Sequence, residues 1–371
     1  MRDVVIIGGA RTAIGNYLGS LAGFNSVELG IFALKGALEK TGVAMSDLEC
    51  LVAGHVNQAG APGNSARHIA MRAGLPITSY AYTVHQQCAS SMRAAECLSQ
   101  DIMLGKYDVG VVVGIESMST APYLLMGARK GYRLGDAEKV QDSLMIGGLV
   151  DDLLGYHMGI TAENIAAEYG ITREQQDEFA LMSNMRACKA IQEGWFKDEI
   201  VPVEIKTRKG ISVFDTDEHP QANTSMEALA KLKPAFKKDG TVTAGNASGL
   251  NDAGSAVIMM SAEAAKAKGF KPVARVVASS PGSVEPRIMG MGVVPAVRNA
   301  LKFAGLKQDQ IDYWELNEAF AAQVLGVNRE LKIGLDRVNA VGSGIGLGHP
   351  VGATGARLII TMISEMKRRG A

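Results

Sequence analysis

The sequence lacks an excess of charge of either sign. Lysine plus arginine and aspartate plus glutamate each number 38 among 371 residues, so the formal net charge is zero. No overall field attracts such a chain to nucleic acid or to an anionic membrane surface, and we expect neither as a partner. A chain of this length has ample material for a core and forms one large two-part body or more than one domain.

Long apolar runs and cysteine motifs are also absent. No run reaches the roughly 18 apolar residues that a membrane span needs, and a strand pattern starts at Val4, which leaves no room for a signal peptide. The four cysteines, at positions 50, 88, 97 and 188, have no metal-binding spacing, which predicts reduced thiols and no metal site. We therefore expect a cytoplasmic protein.

Glycine, in contrast, is plentiful at 43 residues, and short apolar runs alternate with helical patterns. This alternation is typical of strands that are covered on both faces, and it predicts an α/β fold. The predicted strands are 4–7, 51–54, 79–84, 109–115, 256–260, 274–278, 313–316 and 338–341. The predicted helices are 27–40, 65–73, 89–104, 161–169, 173–193, 262–268, 295–304, 320–331 and 352–368.

The alternation is interrupted between residues 119 and 248, where charged residues, glycine and methionine dominate. We interpret 119–248 as an inserted, mostly helical or loop lobe, and insertions of this kind usually cover an active site. The chain then divides into an N-terminal α/β half, 1–118, the inserted lobe, and a C-terminal α/β half, 249–371.

The two α/β halves resemble each other in sequence. The pattern that starts at Ala37 recurs without a gap at Ala300, and these positions differ by 263 residues. The same offset maps the helix after Cys88 onto the helix after His349, so a pseudo-twofold axis would bring both corners into one crevice. It also places the counterpart of the strand at Val109 beyond residue 371, so we expect the second half to lack its last strand or two.

Cys88 lies in the segment VHQQCASSMR, 84–93, where a strand ends and a helix begins. A helix N-terminus lowers the pKa of a thiol and favours the nucleophilic thiolate. The small residues 89–91 leave room for a substrate. The alternative is a buried cysteine that serves as a small apolar side chain.

His349 is the best partner for Cys88, because a cysteine nucleophile needs a base within hydrogen-bond reach. It lies in GLGHPVGATG, 346–355, where glycines allow close approach and a helix follows. Asn317 opens the polar cluster NEAF, 317–320, at the end of a predicted strand. The alternatives are a structural histidine and a helix N-cap, respectively.

Several ordered segments now carry a resemblance to a known family. They are GARTAIG at 9–15, QAG at 58–60, NSAR at 64–67, the Cys88 segment, GYHMG at 155–159, KLKPAF at 231–236, TAGNASG at 243–249, MGMG at 289–292, NEAF at 317–320 and GHP at 348–350. Any one is weak, but the ordered set, which runs over the whole chain, resembles the thiolases, most of all the acetyl-CoA acetyltransferases among them.

The resemblance implies the thiolase fold, in which two pseudo-twofold-related halves form a layered αβαβα body. It also implies an acyltransferase that condenses acetyl-CoA with an acyl-CoA, or splits a 3-oxoacyl-CoA with coenzyme A, through an acyl group on Cys88. Coenzyme A and acetyl-CoA are then substrates, and no cofactor is bound permanently.

Residue roles carry over from the resemblance position by position. His349 takes the proton of Cys88, and Asn317, through a water, and His349 hold the thioester oxygen of the second acetyl-CoA. Donors aimed at that oxygen stabilise an enolate. The expected lining of the pantetheine channel is His157, Met158, Phe236, Ala247 and Ser248, with Met289 near the acyl end. For the methionines, simple packing is the alternative.

Three features depart from the family pattern. The family's second catalytic cysteine, in a C-x-G-G-G segment after the last helix, has no counterpart in this sequence, and we expect the natural chain to continue past Ala371. The residues after Cys88 are Ala-Ser-Ser, which narrows the site slightly. Gln221 replaces an arginine near the coenzyme A adenine, which weakens nucleotide binding.

Other functions are weighed against this one. A non-catalytic acyl-CoA-binding protein, or a subunit whose site a partner completes, would follow if the chain truly ended at Ala371. A ketoacyl synthase shares the fold but generally uses two histidines. The segment Gly131–Gly148 resembles the loop by which related enzymes form dimers of dimers, so we expect a homodimer or homotetramer.

Overall fold

The computed structural model describes residues 1–135 and 140–371. Its strands are β1 Val4–Thr12, β2 Gly15–Asn16, β3 Cys50–His55, β4 Tyr80–Val84, β5 Val109–Ser117, β6 Tyr123–Leu125, β7 Val140–Asp142, β8 Val150–Asp151, β9 Tyr156–His157, β10 Ile200–Val201, β11 Val203–Thr207, β12 Gly210–Phe214, β13 Asn251–Ser261 and β14 Ala274–Arg275. Its helices are α1 Ser26–Thr41, α2 Ser65–Ala73, α3 Ser90–Met103, α4 Met158–Glu168, α5 Arg173–Gln192, α6 Met226–Ala230, α7 Ala262–Lys268, α8 Val293–Ala304, α9 Ala321–Leu331, α10 Gly344–Leu347 and α11 Thr354–Arg369.

A mixed sheet with the strand order β10-β1-β13-β5-β3-β4 forms the centre of the first half. β3 is parallel to both β4 and β5, whereas β13 runs antiparallel to its neighbours β1 and β5. Side chains of α1 and α2 pack on one face of the sheet, and those of α3 and α11 pack on the other. Because both faces are covered, β3, β5 and β13 are buried along their whole length, as their apolar sequences predict.

The helix boundaries follow local signals in the sequence. Asn25 and Glu28 form a capping box at the start of α1, and Gly42 ends that helix in the left-handed conformation. Gly305, its counterpart at the offset of 263, ends α8 in the same conformation. The predicted repeat therefore corresponds to a repeated helix ending.

The prediction of regular strands in the second half, at 313–316 and 338–341, is wrong. These segments meet only in a parallel bridge between Trp314 and Val338. Asn339 lies in the left-handed region at φ 51°, and its side chain bonds both the N–H and the C=O of Leu316. Since a side chain takes the backbone groups that a ladder would use, the pairing stops there. The strand predicted at 274–278 is also shorter, because only Ala274–Arg275 pairs with β1.

The Cys88 and His349 halves are joined where the first turns of α3 and α11 meet. The Oγ of Ser91 accepts a hydrogen bond of 2.9 Å from the backbone N–H of Ala356. A Cβ on Gly355 would lie 2.3 Å from the backbone nitrogen of Met92. Glycine therefore permits this contact between the two halves.

The segment predicted as an inserted lobe contains two long helices, α4 and α5, which pack with α9 in a second core. It also contains the hairpin β11–β12, which the sequence analysis did not predict. β13 follows this segment yet lies in the first sheet. The division into 1–118, 119–248 and 249–371 stays a prediction, and residues 136–139 of the predicted association loop Gly131–Gly148 lie outside the described residues. Among the described helices, none has the length and apolar character that crossing a membrane requires.

Candidate active site

Cys88 lies in a tight corner between β4 and α3. Gln87 adopts a left-handed φ of 47°, which is unusual for a residue with a side chain. Ser90 holds the corner, because its Oγ accepts a bond of 2.9 Å from the N–H of Gln86 and donates one of 2.6 Å to the C=O of Gln87. The thiol is thereby directed by the fold and not by a flexible loop.

His349 lies in the second corner, just before α11, and a strand of the first sheet anchors it. The Oδ1 of Asn251, the first residue of β13, accepts the backbone N–H of His349 at 2.9 Å. The Nδ2 of Asn251 donates to the C=O of Gly15. Gly348 has a φ of 101°, and a Cβ there would lie 2.7 Å from the side chain of Asn251. Only glycine fits this position.

The two corners bring the Nε2 of His349 to 3.1 Å from the Sγ of Cys88. On the other side of the ring, Nδ1 lies 2.7 Å from the Oγ1 of Thr354. The hydroxyl of Thr354 donates its own proton to the C=O of Pro350, so it accepts from Nδ1–H. Nδ1 then carries the ring proton, and the lone pair of Nε2 faces the thiol. This is the tautomer that a general base requires.

Burial keeps both members of the pair neutral. It raises the pKa of the Cys88 thiol to about 11, although the backbone N–H of the corner opposes the shift. It lowers the pKa of His349 to about 3, and the nearby Arg357 guanidinium lowers it further. The expectation that the corner favours a resting thiolate at Cys88 is therefore wrong, because desolvation raises the pKa of the thiol more than the backbone hydrogen bond at the corner lowers it. The proton moves when a substrate is attacked.

Asn317 lies beside the same imidazole. Its Nδ2 is 3.2 Å from the Nε2 of His349, and its Oδ1 is buried without a protein partner among the described residues. The adjacent Glu318 points the other way, where its carboxylate accepts bonds from Ser183, Asn339 and the N–H of Ile345. Glu318 thus ties the Asn317 segment to the loop that leads to His349.

A cavity of about 940 Å³ opens onto Cys88 and His349. All six residues predicted for the pantetheine channel and acyl end lie in its wall: His157, Met158, Phe236, Ala247, Ser248 and Met289. The rings of His157 and Phe236 stack at 4.6 Å, and burial lowers the pKa of His157. The wall is mostly apolar, which suits an alkyl chain and the arm of a thioester.

The sequence analysis missed two residues that hold His349 in place and one segment that lines the cavity. Thr354 and Asn251 hold the two sides of His349, and the run Met145–Leu153 lines the cavity. Thr354 stands five residues after the histidine in the segment that carries it, so a search for a hydroxyl next to the base could have found it. Gln221 is not in the cavity wall, and its side chain donates to the C=O of His219.

Among residues 1–135 and 140–371, no cluster of three or more histidine, cysteine or acidic side chains could hold a metal ion. The other three cysteines are free, and none of them lies in the cavity wall. Cys88 and His349 lie in the cavity wall, and the Asn317 carboxamide lies beside the His349 imidazole.

Comparison with known proteins gives matches over almost the whole chain. Residues 4–263 match the family model described as Thiolase, N-terminal domain, and residues 270–371 match Thiolase, C-terminal domain. An acetyl-CoA acetyltransferase of Pseudomonas aeruginosa is 50% identical, over 100% of this chain and 94% of that protein. The acetyl-CoA acetyltransferase structure from Syntrophomonas wolfei is 50% identical with a TM-score of 0.97, and human mitochondrial 3-ketoacyl-CoA thiolase is 40% identical with 0.96. Each comparison covers 100% of this chain and 94% of the other structure.

Proposed function

The chain is a member of the thiolase family and an acyltransferase of that family, and we propose that its reaction proceeds through an acyl group on Cys88. The observation that carries this proposal is the 3.1 Å separation of the Cys88 Sγ and the His349 Nε2, with the imidazole held in the tautomer of a base. The substrates are acetyl-CoA and a second acyl-CoA, and in the reverse direction a 3-oxoacyl-CoA and coenzyme A.

The first half-reaction uses only groups at the floor of the cavity. The Nε2 of His349 accepts the thiol proton of Cys88 while Sγ attacks the thioester carbon of an acyl-CoA. The backbone N–H of Cys88 donates to the oxygen of the tetrahedral intermediate. The intermediate collapses, the coenzyme A sulfur leaves with the proton from His349, and the acyl group stays on Cys88. Proton transfer in concert with attack suits a pair that is neutral at rest.

In the second half-reaction a second acetyl-CoA enters and gives its α-proton to a base, the role that the resemblance assigns to the family's second catalytic cysteine. The thioester oxygen then carries the enolate charge. It accepts from the Asn317 carboxamide through a water, and from the Nε2 of His349 in the state in which Nε2 carries a proton. The enolate carbon attacks the acyl carbon, the Cys88 sulfur leaves and takes the proton back from the same base, and a 3-oxoacyl-CoA forms. Donors that are fixed before the charge develops stabilise it by several kcal/mol.

The pantetheine arm lies along the cavity wall that the six predicted residues share, with Met289 nearest the acyl group. Coenzyme A is a substrate, and the enzyme carries no permanently bound cofactor. A homodimer or homotetramer in the cytoplasm is part of the same proposal. The non-catalytic alternative is not favoured, because the thiol and its base are in contact and the relatives are named as transferases.

The direct test is the intact mass of the purified protein before and after incubation with acetyl-CoA. We expect one added acetyl group, which Cys88→Ala abolishes and Cys97→Ala retains, since Cys97 lies outside the cavity wall. Acetyl transfer to Cys88→Ala, or no transfer to a wild-type protein that binds coenzyme A, would overturn the proposal.

A further inference from the structure

We propose that a lysine-rich turn at the rim of the cavity binds the phosphate groups of coenzyme A. The lysine turn comprises residues 231–239, KLKPAFKKD, with four lysines and one aspartate in a chain of zero net charge. This inference rests on the proposed function, because coenzyme A is the substrate there. It adds a phosphate site on this chain's own residues to the apolar channel described above.

The lysine turn is continuous with the cavity. Ala235 and Phe236 line the cavity that contains Cys88. The same two residues also line a shallow groove of about 460 Å³ whose other walls are Lys233, Lys237 and Lys238, with Pro234 and Asp239. A ligand whose arm passes Phe236 on its way to Cys88 therefore emerges among ammonium groups.

The turn has a fixed backbone. The N–H of Ala235 donates to the C=O of Val242 at 2.9 Å, and the N–H of Gly240 donates to the C=O of Lys237 at 3.0 Å. The carboxylate of Glu163 accepts the N–H groups of Thr241 and Val242. A rigid turn holds its lysines at one place on the rim without an ordering cost to the backbone when an anion binds.

The lysines of the turn are free to bind an anion. Within the part of the chain that the structure describes, the ammonium groups of Lys231, Lys233, Lys237 and Lys238 form no ion pair and no hydrogen bond, and all four side chains are exposed. Arg173, which contacts the turn through the carbonyl of Leu232, is already engaged with that carbonyl, with the carbonyl of Leu229 and with Asp177. The site therefore consists of mobile ammonium groups on a fixed turn.

Acidic residues occupy a different part of the cavity wall. Asp151 and Asp152 line it next to Leu153, and the Asp151 carboxylate accepts the N–H groups of Leu153 and Leu154. Anionic phosphates are repelled by this part and attracted by the lysine turn. The charge distribution at the rim thus orients the nucleotide end of coenzyme A toward residues 231–239.

Exposed lysines bind phosphate as point charges, so the effect is moderate and depends on salt. The experiment is calorimetric titration of the protein with coenzyme A, dephospho-coenzyme A and pantetheine. For the triple variant Lys233→Ala/Lys237→Ala/Lys238→Ala we expect the Kd of coenzyme A to rise about tenfold. The Kd of pantetheine, which has no phosphate, stays unchanged. An intermediate rise with dephospho-coenzyme A assigns part of the binding to the 3′-phosphate and the rest to the diphosphate.

The matched control is Lys35→Ala/Lys271→Ala/Lys302→Ala, which removes three exposed lysines that have no side-chain partner among the described residues and lie outside the cavity wall. It leaves all three affinities unchanged. An unchanged coenzyme A affinity in the lysine-turn variant, or an equal loss for pantetheine, would overturn the inference. The readout needs no turnover, so wild-type protein that binds coenzyme A but accepts no acetyl group refutes the proposed function and leaves the lysine turn standing.

Discussion

The Cys88 corner and the His349 corner occupy equivalent places in the two halves, yet they are built differently. The Cys88 corner lies between a regular strand, β4, and a long helix, α3, and backbone and Ser90 bonds hold it locally. The His349 corner follows the one-turn helix α10 and no regular strand. It is held by Asn251 of β13, by Thr354, and by Glu116, whose carboxylate accepts the N–H of Gly352.

The difference shows that equivalent corners of the two halves can position two different catalytic side chains in two different ways. A nucleophile only has to point at its substrate, and a strained turn before a helix fixes that orientation. A base needs a direction and a defined tautomer, and side chains that contact the ring provide both. Substitutions at the two corners should therefore impair catalysis or stability in different ways.

The largest expected effect is that of removing the base. In His349→Gln we expect kcat to fall about 10³-fold, because no group then takes the Cys88 proton. Burial raises the pKa of that thiol, so the thiolate fraction in the variant rises about tenfold with each pH unit below about 11. Iodoacetamide labelling of Cys88, mapped by peptide mass, should follow this slope between about pH 7 and pH 10. A labelling rate in the variant that does not change with pH would contradict this assignment.

A smaller loss is expected from Asn317→Ala. The carboxamide lies 3.2 Å from the imidazole, and its oxygen has no protein partner among the described residues. Its removal takes away one partner, through a water, of the thioester oxygen. We expect kcat for condensation to fall about 10²-fold, while acetylation of Cys88 itself changes little. Stopped-flow measurement of the two half-reactions separates them. An equal loss in both would place Asn317 in the first step instead.

Thr354 sets the tautomer of His349 without contacting the thiol. Thr354→Val keeps the shape and removes the acceptor of Nδ1–H, and we expect kcat to fall about tenfold with little change in KM. Thr354→Ser retains the hydroxyl and should restore activity and the pH–rate profile of the wild type. If Ser and Val variants behave alike, packing and not the hydrogen bond explains the effect.

The smallest effect concerns backbone strain. Gln87 and Gly348 both have positive φ, at 47° and 101°, but only one of them is glycine. Gln87→Gly should raise the free energy of unfolding by about 1 kcal/mol, because it removes strain. Gly348→Ala should lower it, because a Cβ would lie 2.7 Å from Asn251. Urea denaturation of both variants and the wild type measures whether the free energy of unfolding rises or falls in each. A lower free energy of unfolding in Gln87→Gly would contradict the strain argument.

The strands and helices of the first half and the site residues Cys88, His349 and Asn317 could be predicted from the sequence. The residues that hold His349 in place could not. Periodicity located β3, β5 and α2 because apolar strands and capped helices leave local signals. It failed at 313–316, where the distant Asn339 replaces a ladder, and at Asn251, which acts on a residue 98 positions away. The predicted direction of the Cys88 pKa shift was wrong for a similar reason, since the desolvation that raises this pKa depends on the whole molecule and leaves no local signal in the sequence.

The place of β13 in the sheet also has a consequence for synthesis of the chain. β13 lies between β1 and β5, but it is the last of these three to leave the ribosome. Until Ser261 emerges, β1 has no neighbour to connect it to β5 and β3, and their apolar edges face solvent. Pairings over such sequence separations form slowly and expose aggregation-prone strand edges. The nascent first half therefore leaves strand edges unpaired until the strand that joins its two parts arrives.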